Sequence, residues 1–152
     1  MKSCQRRRQR VEGAGRLVAA TEQRGVAAGG AGSFAHLRGA GSTFAPINAL
    51  ADNRGAFRIS EGRNFTTAGN LVNSGLLFAG AGSRLTVNGT LTSAVGGVLA
   101  GSGELQVGLL SAAGAIAPGA SPGRLLLTGN LAMQESAALE IEIAGLEAGV
   151  SH

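Results

Sequence analysis

One pattern recurs in this chain at intervals of twenty residues, between Gly80 and Gly129. Its three copies are Arg84-Leu85-Thr86-Val87, Glu104-Leu105-Gln106-Val107 and Arg124-Leu125-Leu126-Leu127. In each copy a charged residue precedes two apolar residues that are two positions apart, which is the alternation of a strand with one buried face. A repeat of this length, built from short strands and Gly-rich corners, predicts a solenoid whose coils stack on one another.

A second column of residues keeps the same interval. Leu71, Leu91 and Leu131 form it, with an interruption at Ser111, and we expect its leucines to point into the coil. The composition suits a narrow coil, because the chain holds 26 Gly, five Phe and no Trp or Tyr. A core of Leu, Val, Ile and Ala with Gly at the corners is therefore expected, rather than a thick sandwich filled by large aromatic side chains.

The charge divides the chain into two regions. The net charge of the whole chain is +4, but residues 1–38 carry +6 and the remainder carries −2. Residues 1–43 are rich in Ala, Gly and Arg, and we predict a disordered or weakly helical basic tail, with a short helix over Arg16–Arg24 and a flexible linker over Ala27–Gly41. Residues 44–152 are predicted to form the solenoid.

Neither an export signal nor a membrane span is predicted within the chain. The basic N-terminal residues are not followed by a continuous apolar segment, because Glu12, Arg16 and Glu22 interrupt it. No apolar run approaches the roughly 20 residues that a spanning helix needs. Cys4 is the one cysteine of the sequence, so an intrachain disulfide is excluded.

Short strands and turn signals alternate from Phe44 onward. Asp52-Asn53-Arg54-Gly55 is read as a turn, and Asn88-Gly89 as a sharp corner between strands. The last predicted strand is Ala138–Ile143, with Leu139, Ile141 and Ile143 directed inward. No closing cap follows it, so we expect a piece of a longer solenoid whose exposed strand edge favours edge-to-edge self-association.

A family resemblance is carried by one segment and its surroundings. The segment Gly114-Ala115-Ile116-Ala117-Pro118-Gly119-Ala120-Ser121-Pro122-Gly123-Arg124-Leu125 resembles the motif of autotransporter-associated β-strand repeats. Such repeats occur in bacterial autotransporter passengers and in PEP-CTERM surface proteins. The resemblance covers roughly Asp52 to the C-terminus. It implies a right-handed parallel β-helix that is secreted or held at the cell surface, with an unknown surface, polysaccharide or protein as its partner.

The same segment has a local structural interpretation. Pro118 and Pro122 fix φ and remove backbone donors, while Gly119 and Gly123 permit positive φ, and Ser121 lies between them. These five residues are predicted to form a rigid double corner before the next strand. They are structural residues, and no ligand is assigned to them.

The Gly pairs and the few His and Asp residues do not fit a catalytic or cofactor motif and are interpreted as structural. The Gly pairs lack the lysine of a phosphate loop and the aspartates of a calcium-binding repeat. His36, His152 and Asp52 do not form a metal-ligand spacing. We therefore expect a non-catalytic scaffold or interaction segment with no cofactor and no metal.

Two alternatives stay open from the sequence. Arg6-Arg7-Arg8 with Lys2 and Arg10 would suit a basic-tailed nucleic-acid binder, although no aromatic residues are interleaved and nucleic-acid binding is not expected. Glu140 and Glu142 share a strand face, and a carboxylate pair of this kind would suit a fragment of a carbohydrate-active β-helix protein.

Overall fold

The computed structural model describes residues 28–29, 32–119 and 123–141, and there the chain is a parallel β-solenoid of about five coils. The described part holds thirteen strands and a 3-10 helix at Ala45–Ala49. The strands are β1 (Ala28–Gly29), β2 (Phe34–Arg38), β3 (Asp52–Asn53), β4 (Ala56–Ser60), β5 (Phe65–Thr66), β6 (Leu71–Asn73), β7 (Leu76–Ala79), β8 (Arg84–Ser93), β9 (Val98–Gly101), β10 (Glu104–Ala112), β11 (Ala115–Pro118), β12 (Leu126–Met133) and β13 (Ala138–Leu139).

The strands line three faces, which we number in the order in which the chain visits them. Face 1 holds β1, β3, β6 and the second halves of β8, β10 and β12. Face 2 holds β2, β4, β7, β9, β11 and β13. Face 3 holds β5 and the first halves of β8, β10 and β12. Each strand pairs in parallel with the strand one coil away, as the twenty-residue repeat predicts.

The three long strands bend from face 3 to face 1. The bend in β8 lies at Asn88-Gly89, where a corner was predicted, and Gly89 has a φ of +130°. Gly129 takes the same φ in β12. A residue with a Cβ is strained in this conformation, so glycine lets one strand serve two faces without a loop.

An apolar ladder fills the coil interior and explains the stacking. Leu71, Leu91, Leu110 and Leu131 are consecutive partners on face 1. The first three are buried, and each fully buried leucine contributes on the order of 1.5–3 kcal/mol. Equivalent positions on faces 2 and 3 are also apolar: Phe57, Leu77, Leu99, Ile116, Phe65, Leu85 and Leu105. Two of these are aromatic, and Phe57 and Phe65 meet edge to face with their ring centroids 5.0 Å apart.

A short polar ladder crosses this apolar interior on face 1. Asn53 and Asn73 are buried partners, and the Asn53 Nδ2 donates to the Asn73 Oδ1 at 2.7 Å. Asn73 Nδ2 in turn donates to the Val98 carbonyl at 3.3 Å. Ser93 continues the column and is buried, but its Oγ has no hydrogen-bond partner within the described residues. The paired amides are satisfied, as buried polar groups must be, and Ser93 is the exception.

The solenoid begins earlier than the sequence predicted. Phe34–Arg38 pairs in register with Ala56–Ser60, so the linker predicted over Ala27–Gly41 is wrong for this segment. Leu37, Ile47 and Leu50 are buried in the core of this first coil. The sequence did not indicate this strand, because its one fully buried residue, Leu37, lies in a region rich in Ala, Gly and Arg. The helix predicted over Arg16–Arg24 lies outside the described residues.

Two predicted registers and one predicted turn are also corrected. Leu110, not Ser111, continues the leucine column, because its coil has only Gly108 where the previous coil has Asn88 and Gly89. Leu105 pairs with Leu127 rather than Leu125, since the corner before β12 is longer. Finally, the turn predicted at residues 52–55 is confined to Arg54-Gly55, because Asp52–Asn53 is β3.

The last coil differs from the expected strand over 138–143. Strand β13 covers only Ala138–Leu139, and Ile141 follows it outside regular structure. Leu139 and Ile141 were expected inside the coil, but they are 51% and 67% exposed. No further coil of the described residues lies over Leu139, so its pairing in register with the buried Ile116 does not bury it. Glu142 and Ile143 lie outside the described residues.

Candidate functional site

A column of polar side chains follows the corner between faces 2 and 3. Asn64, Arg84, Glu104 and Arg124 lie twenty residues apart, each at or just before the start of a face 3 strand. The stacked coils bring all four to one edge, although the register partner of Glu104 is Leu126 and Arg124 lies in the longer corner before it. A groove of about 330 Å³ runs along this edge, and we call it the corner groove. Its lining residues are Asn64, Gly82, Ser83, Arg84, Ser102, Gly103, Glu104, Arg124 and Leu126.

Hydrogen bonds between coils hold the wall of the corner groove. The backbone N–H of Arg84 donates to the Asn64 Oδ1 at 3.0 Å. The Arg84 Nε donates to the Glu104 Oε2 at 2.7 Å, and the two side chains are 50% and 23% exposed. An ion pair this exposed to water contributes little to stability, on the order of 0–1 kcal/mol. It does fix the direction of both side chains along the groove.

One charged group at the corner groove is left for other contacts, and one hydroxyl beneath the groove is buried without a partner. Arg124 is exposed and makes no ion pair with any described residue. The Ser83 side chain is buried beneath the groove, and its Oγ has no partner within the described residues. A groove with a free guanidinium, an orienting carboxylate and backbone at Gly82 and Gly103 can hydrogen-bond a polar partner. It holds no aromatic platform for stacking on a sugar or a base.

The predicted corner motif directly precedes Arg124, which lines this groove. Pro118 ends β11, and Gly119 follows with a φ of +109° and donates its N–H to the Gly101 carbonyl at 2.8 Å. A Cβ at Gly119 would lie 2.9 Å from the Gly123 nitrogen, so the chain folds closely on itself here. Ser121 and Pro122 lie outside the described residues. The described part of the motif forms the corner from which Arg124 extends.

The residues named for catalysis or metal binding are not brought together. Glu140 is exposed after β13 and contributes its backbone N–H to the Ile116 carbonyl at 2.8 Å, while Glu142 lies outside the described residues. His36 contacts the Ser60 hydroxyl at 2.8 Å, and Asp52 pairs with Arg54 at 2.7 Å. Across residues 28–29, 32–119 and 123–141, no group of three potential metal ligands occurs.

The basic residues before Arg38 and Cys4 lie outside the described residues, as does His152. Arg38 itself pairs with Glu61 of the next coil. No helix in the described part of the chain is long and apolar enough to cross a membrane.

An apolar surface closes the described part of the solenoid at its C-terminal side. Its side chains belong to the last coil, which no further described coil covers, and we call this surface the end face. Leu131 and Met133 are each 46% exposed, beside Leu139 and Ile141. Sequence reasoning predicted the exposed strand edge at this end but placed Leu131, Leu139 and Ile141 inside, and it made no prediction for Met133. It also noticed the charged residue before each repeat without placing the four polar residues in one groove.

Comparisons with known proteins identify no relative. No protein-family model matches the chain, and no curated protein or solved structure matches it significantly.

Proposed function

We propose that this chain is a non-catalytic structural and interaction segment of an exported bacterial surface protein, of the autotransporter-like or PEP-CTERM type. The observation that carries the proposal is the coincidence of two features. The coils stack in parallel with a spacing near twenty residues, and the described motif residues Pro118, Gly119 and Gly123 lie between the end of β11 and the start of β12. The resemblance to autotransporter-associated repeats rests on the same motif.

The architecture supports a scaffold role in physical terms. Each coil adds about 4.8 Å of length, and its backbone is hydrogen-bonded to both neighbours. The inter-coil ladder and the leucine column make a stiff rod without disulfides. Exposed corner positions of such a rod, such as the 73% exposed Val95, tolerate sequence change because their side chains face solvent. A stiff rod with variable corners suits the display of contact surfaces outside a cell.

Within this role, the corner groove is the contact surface for a polar partner. Arg124 supplies a free cation, and the Arg84–Glu104 pair supplies an oriented donor and acceptor. Because the groove runs along the solenoid axis, it suits a linear partner such as a polysaccharide. Binding of a soluble polyuronate, followed by calorimetry, tests this part. Arg124→Ala is expected to weaken binding, and Arg54→Ala, an exposed arginine outside the groove, leaves it unchanged.

Surface location is tested on intact cells of the source organism. An antibody against residues 44–119 is expected to label unpermeabilised cells, and protease added outside is expected to remove the label. A cytoplasmic protein serves as the control for cell integrity. Recovery of the chain only in the cytoplasmic fraction would contradict the proposal.

A further inference from the structure

The end face is the side of the last described coil on which a further coil would stack. Strands β12 and β13 terminate their sheets, so their outer backbone edges have no strand partner within the described residues. Beside those edges lie four large apolar side chains that are 46% exposed or more: Leu131, Met133, Leu139 and Ile141. An apolar patch bordered by an open strand edge is a template for another chain.

The opposite end of the described solenoid does not offer a matching surface. Leu37, Ile47 and Leu50 of the first coil are all buried, at 1%, 3% and 2% exposure. Phe34 of β2 is 45% exposed, but it lies edge-on to His36 on the outer side of the strand, opposite to the inward Leu37. A head-to-tail contact between two copies would therefore cover the end face with a coil whose inward apolar side chains are already buried. A contact between two end faces buries the apolar side chains of both copies and closes after two chains.

We propose that this chain forms a closed two-fold dimer through its end face. The two copies meet end to end, with their axes in line. Because the second copy is inverted, its strands run antiparallel to those of the first. Strand β13 pairs with β13 of the second copy, and the leucines of the two last coils meet between them.

Three two-fold orientations superimpose the three-sided outlines of the two copies. Charge complementarity selects the proposed one. Glu135 lies in the corner between β12 and β13, and Arg124 in the corner between β11 and β12. A two-fold axis through the third corner, at Gly129, places Glu135 opposite Arg124 of the second copy, and does so twice. Axes through the other two corners would oppose Arg124 to itself or Glu135 to itself. Opposite charges at a rim favour correct docking, and like charges penalise it.

The first test is the mass of the full chain as a function of concentration, measured by analytical ultracentrifugation. We expect a monomer of 15.0 kDa to convert to twice that mass and to no larger species. Leu131→Lys is expected to raise the dimer dissociation constant at least tenfold. Val95→Lys is the matched control, since Val95 is a 73% exposed apolar residue at a corner away from the end face, and its dimer is unchanged. Circular dichroism verifies that both variants are folded.

The second test reverses the rim charges. Glu135→Arg and Arg124→Glu are each expected to weaken the dimer about three- to tenfold, and the combined variant to regain wild-type affinity, as expected for exposed ion pairs. Failure of the combined variant to recover would overturn the proposed orientation.

Three other results would overturn the dimer itself. A monomer at all concentrations means that something else covers the end face, such as residues 142–152. Species that grow beyond two chains indicate a head-to-tail assembly. A dimer that Leu131→Lys leaves intact uses another surface. The inference does not rest on the proposed function. Arg124 takes part in both, but Leu131 and Glu135 lie outside the corner groove, so their variants test the dimer without changing the groove.

Discussion

The first and last coils of the solenoid are built from the same kind of strand but differ in burial. In the first coil, Leu37 is almost inaccessible to solvent, and Ile47 of the 3-10 helix is buried in the same core cluster. In the last coil, Leu131 occupies the same ladder as the buried Leu91 yet is 46% exposed. In a stacked fold, an inward-facing side chain is buried only when a neighbouring coil covers it. Position along the stack therefore decides what each residue contributes.

The leucine column gives the largest expected effect. Leu91→Ala removes a fully buried side chain and leaves a cavity, so we expect a loss of about 2–5 kcal/mol in the free energy of unfolding. Leu131→Ala, in the same column, is expected to cost less than about 1.5 kcal/mol, because roughly half of its surface is already in water. Urea denaturation at protein concentrations where the chain is monomeric measures both. Equal losses would mean that the last coil is as well covered as the interior.

Substitutions at two glycines distinguish the cost of a clash between neighbouring coils from the cost of backbone strain within a turn. Gly101 has a φ of +122°, and a Cβ there would clash with the Ala79 carbonyl of the coil before it. We expect Gly101→Ala to destabilise the chain by about 2–4 kcal/mol, combining backbone strain and overpacking. Gly96 has a φ of +83° and open space around it, so Gly96→Ala is expected to cost only about 1 kcal/mol. Thermal unfolding of the pair tests this, and an equal cost would exclude the inter-coil clash.

The polar ladder predicts a smaller difference. Asn73→Ala removes the acceptor of the Asn53 amide and the donor to the Val98 carbonyl, and we expect it to cost about 1–3 kcal/mol. Ser93→Ala, one coil further, removes a hydroxyl without a partner in the described structure and is expected to change stability by less than about 0.5 kcal/mol. Denaturant titrations compare the two variants. A large loss for Ser93→Ala would reveal a partner for its hydroxyl.

The corner groove gives the smallest effect on stability. Glu104→Gln breaks the exposed pair with Arg84 and is expected to lower stability by less than about 0.5 kcal/mol. Its effect on stability is expected to vanish near 1 M salt, where exposed charges are screened. A loss that persists at high salt would show that Glu104 stabilises the coil through packing instead of charge.

The sequence predicted the architecture well in the interior of the stack and poorly at its edges. The alternation at Arg84–Val87 and Glu104–Val107 is set by the strand period, so pattern alone places Leu85 and Leu105 inside. The start of the stack was missed because Phe34–Arg38 holds only one strongly buried apolar residue, Leu37. Its strand character comes from pairing with β4, which no local pattern records.

Coil length was the second thing that the pattern could not determine. One residue fewer at Gly108 and a longer corner after Pro118 change the register without changing the composition. The corner groove was missed for a related reason. Its four polar residues are spaced like the repeat itself, so they look like ordinary outer positions until the coils are stacked. When the coils stack, the polar residues that precede the strands lie together along one edge of the solenoid.

The parallel register of the coils is tested most directly by contacts between leucine methyl groups. In a chain labelled at its leucine methyls, nuclear Overhauser cross-peaks are expected from Leu71 to Leu91, from Leu91 to Leu110 and from Leu110 to Leu131. These are the consecutive partners of the face 1 ladder. Absence of the Leu91–Leu110 and Leu110–Leu131 cross-peaks in the folded chain would contradict the stacked solenoid.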